Sequence, residues 1–347
     1  MADWKVHTKR KDIINFLNIK NTMYPIKFNT ILKKVLWGGA EICKFKHLSE
    51  LQDGVGESWE ISQVKGNVSV VDNGEYKGCS LTEMIQHFGA DFLGKHVYER
   101  FGEKFPLLIK FIDARDNLSI QVHPNDELAA KRHNSFGKTE MWYVIAAQEG
   151  AGLYSGFSKQ ITPDEYVERV HNNTIMDVLQ FHPVKSGDVF FLPAGRVHAI
   201  GKGIFIAEIQ QTSDITYRIY DYNRKDANGK SRELHTELAK DAIDYKMYDD
   251  LKTVYTSESD KTVGLVSCKY FVTNLLDLNK DIKRTISDKD SFVVYICMEG
   301  EASLTDNDGN NINIRQGETI LVPAAIEWVK FGVQTKVKLL ECYIPKI

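Results

Sequence analysis

Along most of the chain, apolar and polar residues alternate over short runs, and Gly, Asn, Asp or Pro closes each run. Runs such as FPLLIKFIDA, NLSIQVH, MWYVIAA, DVFFLPA, GIFIAEIQQ, FVVYICM and INIRQGETILVP are rich in β-branched and aromatic residues. Side chains on a strand repeat every second residue, so short runs with frequent turn signals predict a mainly β chain folded as a sandwich or jelly roll. Three stretches carry helical signals instead. Ser80-Leu81-Thr82-Glu83 is a capping box ahead of MIQHF. Thr162-Pro163-Asp164-Glu165 is a second, with proline at the first helical position. The third is ELHTELAKDAIDY, residues 233–245. They read as insertions on a β framework, at about residues 80–105, 163–180 and 233–245.

The pattern also repeats. Gly187-DVFFL-Pro193-Ala-Gly195-Arg-Val-His198 has a later counterpart in Gly317-ETILV-Pro323-Ala-Ala325-Ile-Glu-Trp328. A similar strand and turn precede each copy, WYVIAAQEG ending at Gly150 and VVYICMEG ending at Gly300. The first copy holds an insert between its two glycines that contains one of the capped helices. Two related β-barrels are therefore expected. The first, residues 23–255, carries the helical insertions. The second, residues 256–347, has Trp328 in place of the histidine and lacks metal ligands. Residues 1–22, rich in Lys, Asn and Asp, read as a peripheral extension.

Composition narrows the function. The chain of 347 residues has a formal net charge of −3, with no basic excess to neutralise a nucleic-acid backbone. A small phosphorylated ligand needs only a few local cations and stays open. The five cysteines, Cys43, Cys79, Cys268, Cys297 and Cys342, are scattered and form no CxxC pair. That pattern argues against a disulfide framework or a cysteine metal site and suits a reducing compartment. No apolar run approaches a membrane span, and the N-terminus has no continuous apolar core of a signal peptide. A cytoplasmic protein without membrane or nucleic-acid partners is expected.

The candidate chemistry sits in three segments. In NLSIQVH, strict alternation puts Leu118, Ile120 and Val122 on one face and Ser119, Gln121 and His123 on the other. Glu140 opens the apolar run EMWYVI, where an unpaired carboxylate is costly to bury and a metal would remove the cost. His198 follows a Pro-Ala-Gly turn that returns a side chain to a barrel mouth. Gln O, His N, Glu O and His N make a mixed donor set that suits Zn²⁺ or another divalent metal such as Mn²⁺, Co²⁺ or Fe²⁺. Downstream, Glu208 lies in an apolar strand, and Arg218 in TYRIYDYNR is placed to hold negative charge on a substrate or its transition state. An alternative for Arg218 is a structural pair with Asp214 or Asp221. The remaining histidines, His7, His47, His87, His96, His133, His171, His182 and His235, sit in polar or helical contexts and read as ordinary residues.

The G-x5-P-x-G-x2-H frame resembles the second motif of the cupin barrels. From about Met23 onward the chain resembles the type I phosphomannose isomerases in their shorter bacterial form. The carriers are WGG at 37–39, GVGESWEIS at 54–62, LSIQVHPND at 118–126, GKTEMWYV at 137–144, LPAGRVHAI at 192–200 and AEIQQTSDITYRIYDYNR at 207–224. The resemblance implies two cupin (jelly-roll) barrels, the first with helical insertions. It implies one zinc ion on Gln121, His123, Glu140 and His198, with Gln121 the least secure ligand. It implies Arg218 as the active-site arginine, Glu208 as the catalytic carboxylate and Lys138 as its rival in proton transfer. Ser119 and Arg224 are candidates for substrate binding. The implied reaction interconverts mannose 6-phosphate and fructose 6-phosphate through a metal-stabilised cis-enediol(ate), in a monomer or homodimer. Two alternatives stand beside it. One is another cupin metalloenzyme acting on a small sugar, against which Gln121 counts because such enzymes usually show H-x-H in the first motif. The other is a non-catalytic sugar-binding cupin, which would not need Lys138, Glu208 and Arg218.

Overall fold

The computed structural model describes residues 22–225 and 228–346. The expected N-terminal extension, Thr22 excepted, and His7 within it lie outside the described residues. What is described is mainly β, as the alternating runs predict, and is arranged around two barrels.

The first barrel is a pair of facing antiparallel sheets. One has six strands in the order Ile31–Gly39, Val55–Ile61, Leu107–Ala114, Ile204–Gln211, Glu140–Ala147 and Val189–Leu192. The other has five, in the order Tyr217–Tyr220, Ile120–Val122, His198–Ala199, Gly152–Phe157 and Leu179–Pro183. Between them lies an apolar filling in which Trp142, Val144, Ile206 and Ile112 of the first sheet meet Leu153 of the second.

The second barrel is one eight-stranded antiparallel system wrapped about the long strand Val293–Asp306. The internal repeat is visible in the pairing. Val189–Leu192 runs antiparallel to Glu140–Ala147, and Thr319–Val322 runs antiparallel to Val293–Asp306 in the same relation.

The inserted helices follow their capping signals. Leu81–Phe88 is capped by the full Ser80/Glu83 box, and Pro163–His171 by the Thr162 hydroxyl accepting from the Glu165 amide. The third is shorter than its pattern, Thr236–Ala242 rather than 233–245. The His235 amide donates to the Arg218 carbonyl at 2.7 Å, so the residue before Thr236 is tied to the strand Tyr217–Tyr220 instead of entering a helical turn.

All eight residues of Leu107–Ala114 and all eight of Ile204–Gln211 are buried. A strand with one solvated face could not show that. Here the outer face of the six-stranded sheet, including Leu107, Ile109, Phe111, Met141 and Ile209, merges with Val293, Tyr295, Leu321 and Leu339 of the second barrel in one continuous core. Polar ties reinforce the seam. The buried Lys46 ammonium binds Glu60 at 2.7 Å and the Gly317 carbonyl at 2.6 Å.

Inside the second barrel, Glu341 is fully buried. It accepts from Arg284 Nε and Nη2 at 2.9 and 2.7 Å, Asn274 at 3.0 Å and Tyr295 at 3.0 Å. Burial pushes the carboxyl up in pKa, but the Arg284 charge and hydrogen bonds hold it below the ordinary value. Arg284→Met strands that charge. Urea denaturation should show a loss of roughly 3–5 kcal/mol; an unchanged midpoint would mean that Arg284 is dispensable.

Candidate metal centre and cavity

Two strands of the five-stranded sheet and one of the six-stranded sheet deliver the metal-binding set. His198 begins the short strand His198–Ala199 and pairs with Gln121 in register. His123 directly follows Ile120–Val122, and Glu140 opens Glu140–Ala147 on the facing sheet. The Pro-Ala-Gly turn does what its sequence suggests. Gly195 takes φ +92°, a left-handed conformation open to glycine, and its amide donates to the His123 carbonyl at 2.9 Å. One ligand loop is thereby fastened to the other.

One ligand atom from each of His123, Glu140 and His198 lies within 4.8 Å of the others, and all three residues are buried. Each imidazole faces a carbonyl through Nδ1, His123 to Ile215 at 2.8 Å and His198 to Arg196 at 2.9 Å. A carbonyl only accepts, so Nδ1 carries a proton and, in the neutral ring, each Nε2 lone pair points to the cluster. Burial, then the Lys138 charge, drives the His123 pKa well below its ordinary value, which keeps the ring neutral.

Glu140 has no exposed surface, and neither carboxylate oxygen has a hydrogen-bond partner. His198 Nε2 and Lys138 Nζ each lie 3.1 Å from one of its oxygens, but without hydrogen-bonding alignment. Burial pushes Glu140 up in pKa; the Lys138 charge foremost holds it well below the carboxylate range. Lys138 Nζ is 3.1 Å from both His123 Nε2 and Glu140 Oε2, so an ammonium stands where these acceptors converge on a cation. Two imidazoles whose Nε2 atoms converge on a buried carboxylate that no hydrogen bond satisfies fit a divalent metal. The Gln121 amide, 3.4 Å from His198 Nε2, borders the cluster.

Beside it opens a cavity of about 350 Å³. Gln121, Lys138 and Trp142, whose side chains touch the cluster, form part of its wall, with Ser119, Glu208 and Arg218. Register explains the grouping. Lys110, Glu208 and Trp142 lie side by side across three strands of one sheet, and Arg218, Gln121 and His198 across three strands of the other. Glu208 accepts from Trp142 Nε1 at 2.8 Å and lies 3.4 Å from Lys110 Nζ, while its Oε2 has no hydrogen bond. Burial first, then the Glu140 charge, raises the Glu208 pKa.

Arg218 pairs with neither Asp214 nor Asp221; its Nη1 donates to the Glu233 carbonyl at 2.9 Å. Arg224 is not on the cavity wall. It binds Asp221 at 2.6 Å and Asp116 at 3.5 Å. Three charged residues on the wall were not singled out in the sequence: Glu57, Lys110 and Arg232. Lys110 did leave a signal, a lone lysine in the otherwise apolar strand core LLIKFI. Of the histidines read as ordinary, those among the described residues stay outside the cluster. Thus His133 bonds the Tyr217 hydroxyl and His96 the Asp290 carbonyl.

Fold and site together define a cupin with a buried metal-binding set of two histidines and one carboxylate. The profile described as phosphomannose isomerase type I, catalytic domain, matches residues 26–148, and that of the mannose-6-phosphate isomerase cupin domain matches residues 261–344. The mannose-6-phosphate isomerase ManA of Bacillus subtilis is 35% identical over 306 residues, spanning 87% of this chain and 94% of that protein. The mannose-6-phosphate isomerase of Streptococcus mutans is 33% identical over 312 residues, 88% of this chain and 95% of its own length. The crystal structure of the Bacillus subtilis mannose 6-phosphate isomerase superposes with a TM-score of 0.82 at 30% identity, covering 92% of this chain and 99% of that one. A phosphomannose isomerase variant from Salmonella typhimurium shares the fold, with a TM-score of 0.75 at 16% identity over 93% of this chain and all of that one. The chain belongs to the type I phosphomannose isomerase family.

If Glu140 is the anionic ligand, Glu140→Gln should weaken divalent-metal binding by more than the roughly 10–100-fold typical of losing an outer-shell partner. Metal at about 100 times its Kd should stabilise the stripped wild-type chain by roughly 2.7 kcal/mol. The variant should show no such gain in thermal unfolding. Equal stabilisation of both would place the ion elsewhere.

Proposed function

We propose that the chain is an aldose–ketose isomerase that interconverts mannose 6-phosphate and fructose 6-phosphate. In this reading one zinc ion is held by His123, Glu140 and His198, with Gln121 as a fourth donor. The observation that carries the proposal is the unpartnered Glu140 carboxylate and two Nε2 lone pairs beside a cavity whose wall holds Glu208, Lys138 and Arg218. The relatives that share the fold along nearly their whole length are mannose-6-phosphate isomerases.

The reaction removes the C2 proton of the open-chain aldose and returns a proton to C1 by way of a cis-enediol. When bound, the metal supplies Lewis-acid polarisation of the substrate oxygens. Glu208 is the base at carbon. Its Oε2 makes no hydrogen bond, with the Lys110 ammonium 3.4 Å away, and burial raises its affinity for a proton, which matches it to carbon-acid chemistry better than a solvated carboxylate. Trp142 orients the carboxylate through Oε1. Lys138 moves the proton between the oxygens of C1 and C2 from its place next to the metal ligands. Arg218 provides fixed positive charge for the negative charge of the bound substrate. The Ser119 hydroxyl on the cavity wall binds the sugar, while Arg224, off that wall, holds Asp221.

The five free cysteines suit a reducing compartment, and no helix among the described residues is long and apolar enough to cross a membrane. We infer a cytoplasmic enzyme that works as a monomer or homodimer.

A coupled assay on metal-stripped protein should yield fructose 6-phosphate only after a divalent metal is restored. Absence of turnover with every divalent metal, despite one bound ion per chain, rejects the isomerase. Glu208→Gln should lower kcat by about 10²–10⁴-fold with metal content unchanged. Because the Glu208 pKa is raised, wild-type kcat should fall as pH drops through a value above the ordinary carboxylate range. An acidic limb at the ordinary carboxylate value would assign the base elsewhere.

A further inference from the structure

The charges on the cavity wall are sorted by position. Glu57, Lys110 and Glu208 sit together on the six-stranded sheet, while Arg218 and Arg232 sit together at the other side. The segment that carries Arg232 is stitched to the strand that carries Arg218. The Arg218 amide donates to His235 Nδ1 at 3.0 Å, and the His235 amide donates back to the Arg218 carbonyl at 2.7 Å. Asp221, itself buried, grips Arg232 in bidentate fashion, from Nε at 2.7 Å and from Nη2 at 2.6 Å. That grip leaves Nη1 for a second acceptor.

Asp221 is shared between Arg232 and Arg224, Arg224 also meets Asp116, and Arg218 forms no ion pair among the described residues. Arg218 Nε is buried and has no hydrogen-bond partner. A buried guanidinium N–H without an acceptor is costly unless a ligand supplies one. Burial, then the neighbouring Arg232 charge, lowers the Arg218 pKa against the opposing pull of Asp221 and Glu233. Of the acids on the cavity wall, Glu57 and Glu208 accompany Lys110, and the third, Asp214, is exposed.

We propose that Arg232, aimed by Asp221, forms with Arg218 the seat for the substrate's phosphate group, and that Arg232 is the residue that selects phosphorylated over unphosphorylated hexose. A phosphomonoester carries about −1.5 to −2 charge at neutral pH and three acceptor oxygens, enough to engage Arg218 Nε and Arg232 Nη1 together. Seated there, the sugar's far end extends toward Gln121, Lys138 and Glu208. The proposal rests on the sugar-phosphate reading of this cavity.

The test uses the metal-loaded full chain, with Arg232→Gln and Arg232→Lys. Sorbitol 6-phosphate, an open-chain hexitol phosphate that cannot be isomerised, serves as probe, with sorbitol as its unphosphorylated control. Arg232→Gln should raise the KM for mannose 6-phosphate and the inhibition constant of sorbitol 6-phosphate by about 10–100-fold. The kcat should change by less than about 3-fold, on the order of the spread of one weak contact. Sorbitol binding and metal content should not change. Arg232→Lys keeps the charge and loses the fork, so it should recover part of the affinity; it also decides the matter if the Gln variant unfolds. Unchanged constants for the phosphorylated ligands, or equal weakening of sorbitol and sorbitol 6-phosphate, overturn the proposal. Tight sorbitol 6-phosphate binding that depends on Arg232 in a wild-type chain that does not turn over mannose 6-phosphate would reject the isomerase and leave the phosphate seat standing.

Discussion

The Glu140 carboxylate, without exposed surface and without a hydrogen-bond partner, sets the terms for the surrounding structure. A charge in that position persists only if cations answer it. Lys138 answers it from 3.1 Å, and the two imidazoles are oriented so that an ion can do so more fully. The backbone bonds that look incidental serve this requirement. Ile215 and Arg196 accept from the imidazoles so that the lone pairs face inward, and Gly195 ties the His198 turn to His123. Removing any of these would leave a buried anion whose neighbours no longer point at it.

The chemistry rests on the register of two sheets. Lys110, Glu208 and Trp142 line up across one, and Arg218, Gln121 and His198 across the other. A slip of one residue in any of these strands would turn its polar member out of the barrel and an apolar one in. The strands that carry Lys110 and Glu208 are buried on both faces, so their alignment is fixed by packing from outside as well as inside. The lone charges in these strands are tolerated because each finds its partner on the adjacent strand.

Much of this can be read from the chain. The alternation in NLSIQVH places Ser119, Gln121 and His123 on one face, and the repeat at Gly187 and Gly317 announces the second barrel. The capping boxes mark two helices. Other features depend on partners distant in sequence. Lys110 acquires meaning only beside Glu208 and Glu57, and Arg232 only once the segment before Thr236 has folded back onto the Arg218 strand. The helical pattern at 233–245 overreaches for the same reason, since propensity cannot register that the His235 amide is claimed by a carbonyl in another element. The residue Arg218 pairs with was also hidden. Both acids near it in sequence are passed over in favour of a backbone carbonyl.

The merged core between the barrels bears on how such a chain can change over time. The second barrel holds Trp328 where the first has a ligand histidine, and that ring stacks under Lys283 at 3.7 Å. This barrel is bound to the first through Val293, Tyr295, Leu321 and Leu339, which close the outer side of the sheet bearing Glu140 and Glu208. It can drift in its own mouth but not along that seam. The second barrel thus serves as the rigid wall of the first, and substitutions far from the cavity, on the seam side of the second barrel, are inherited under the constraint of a reaction they never touch.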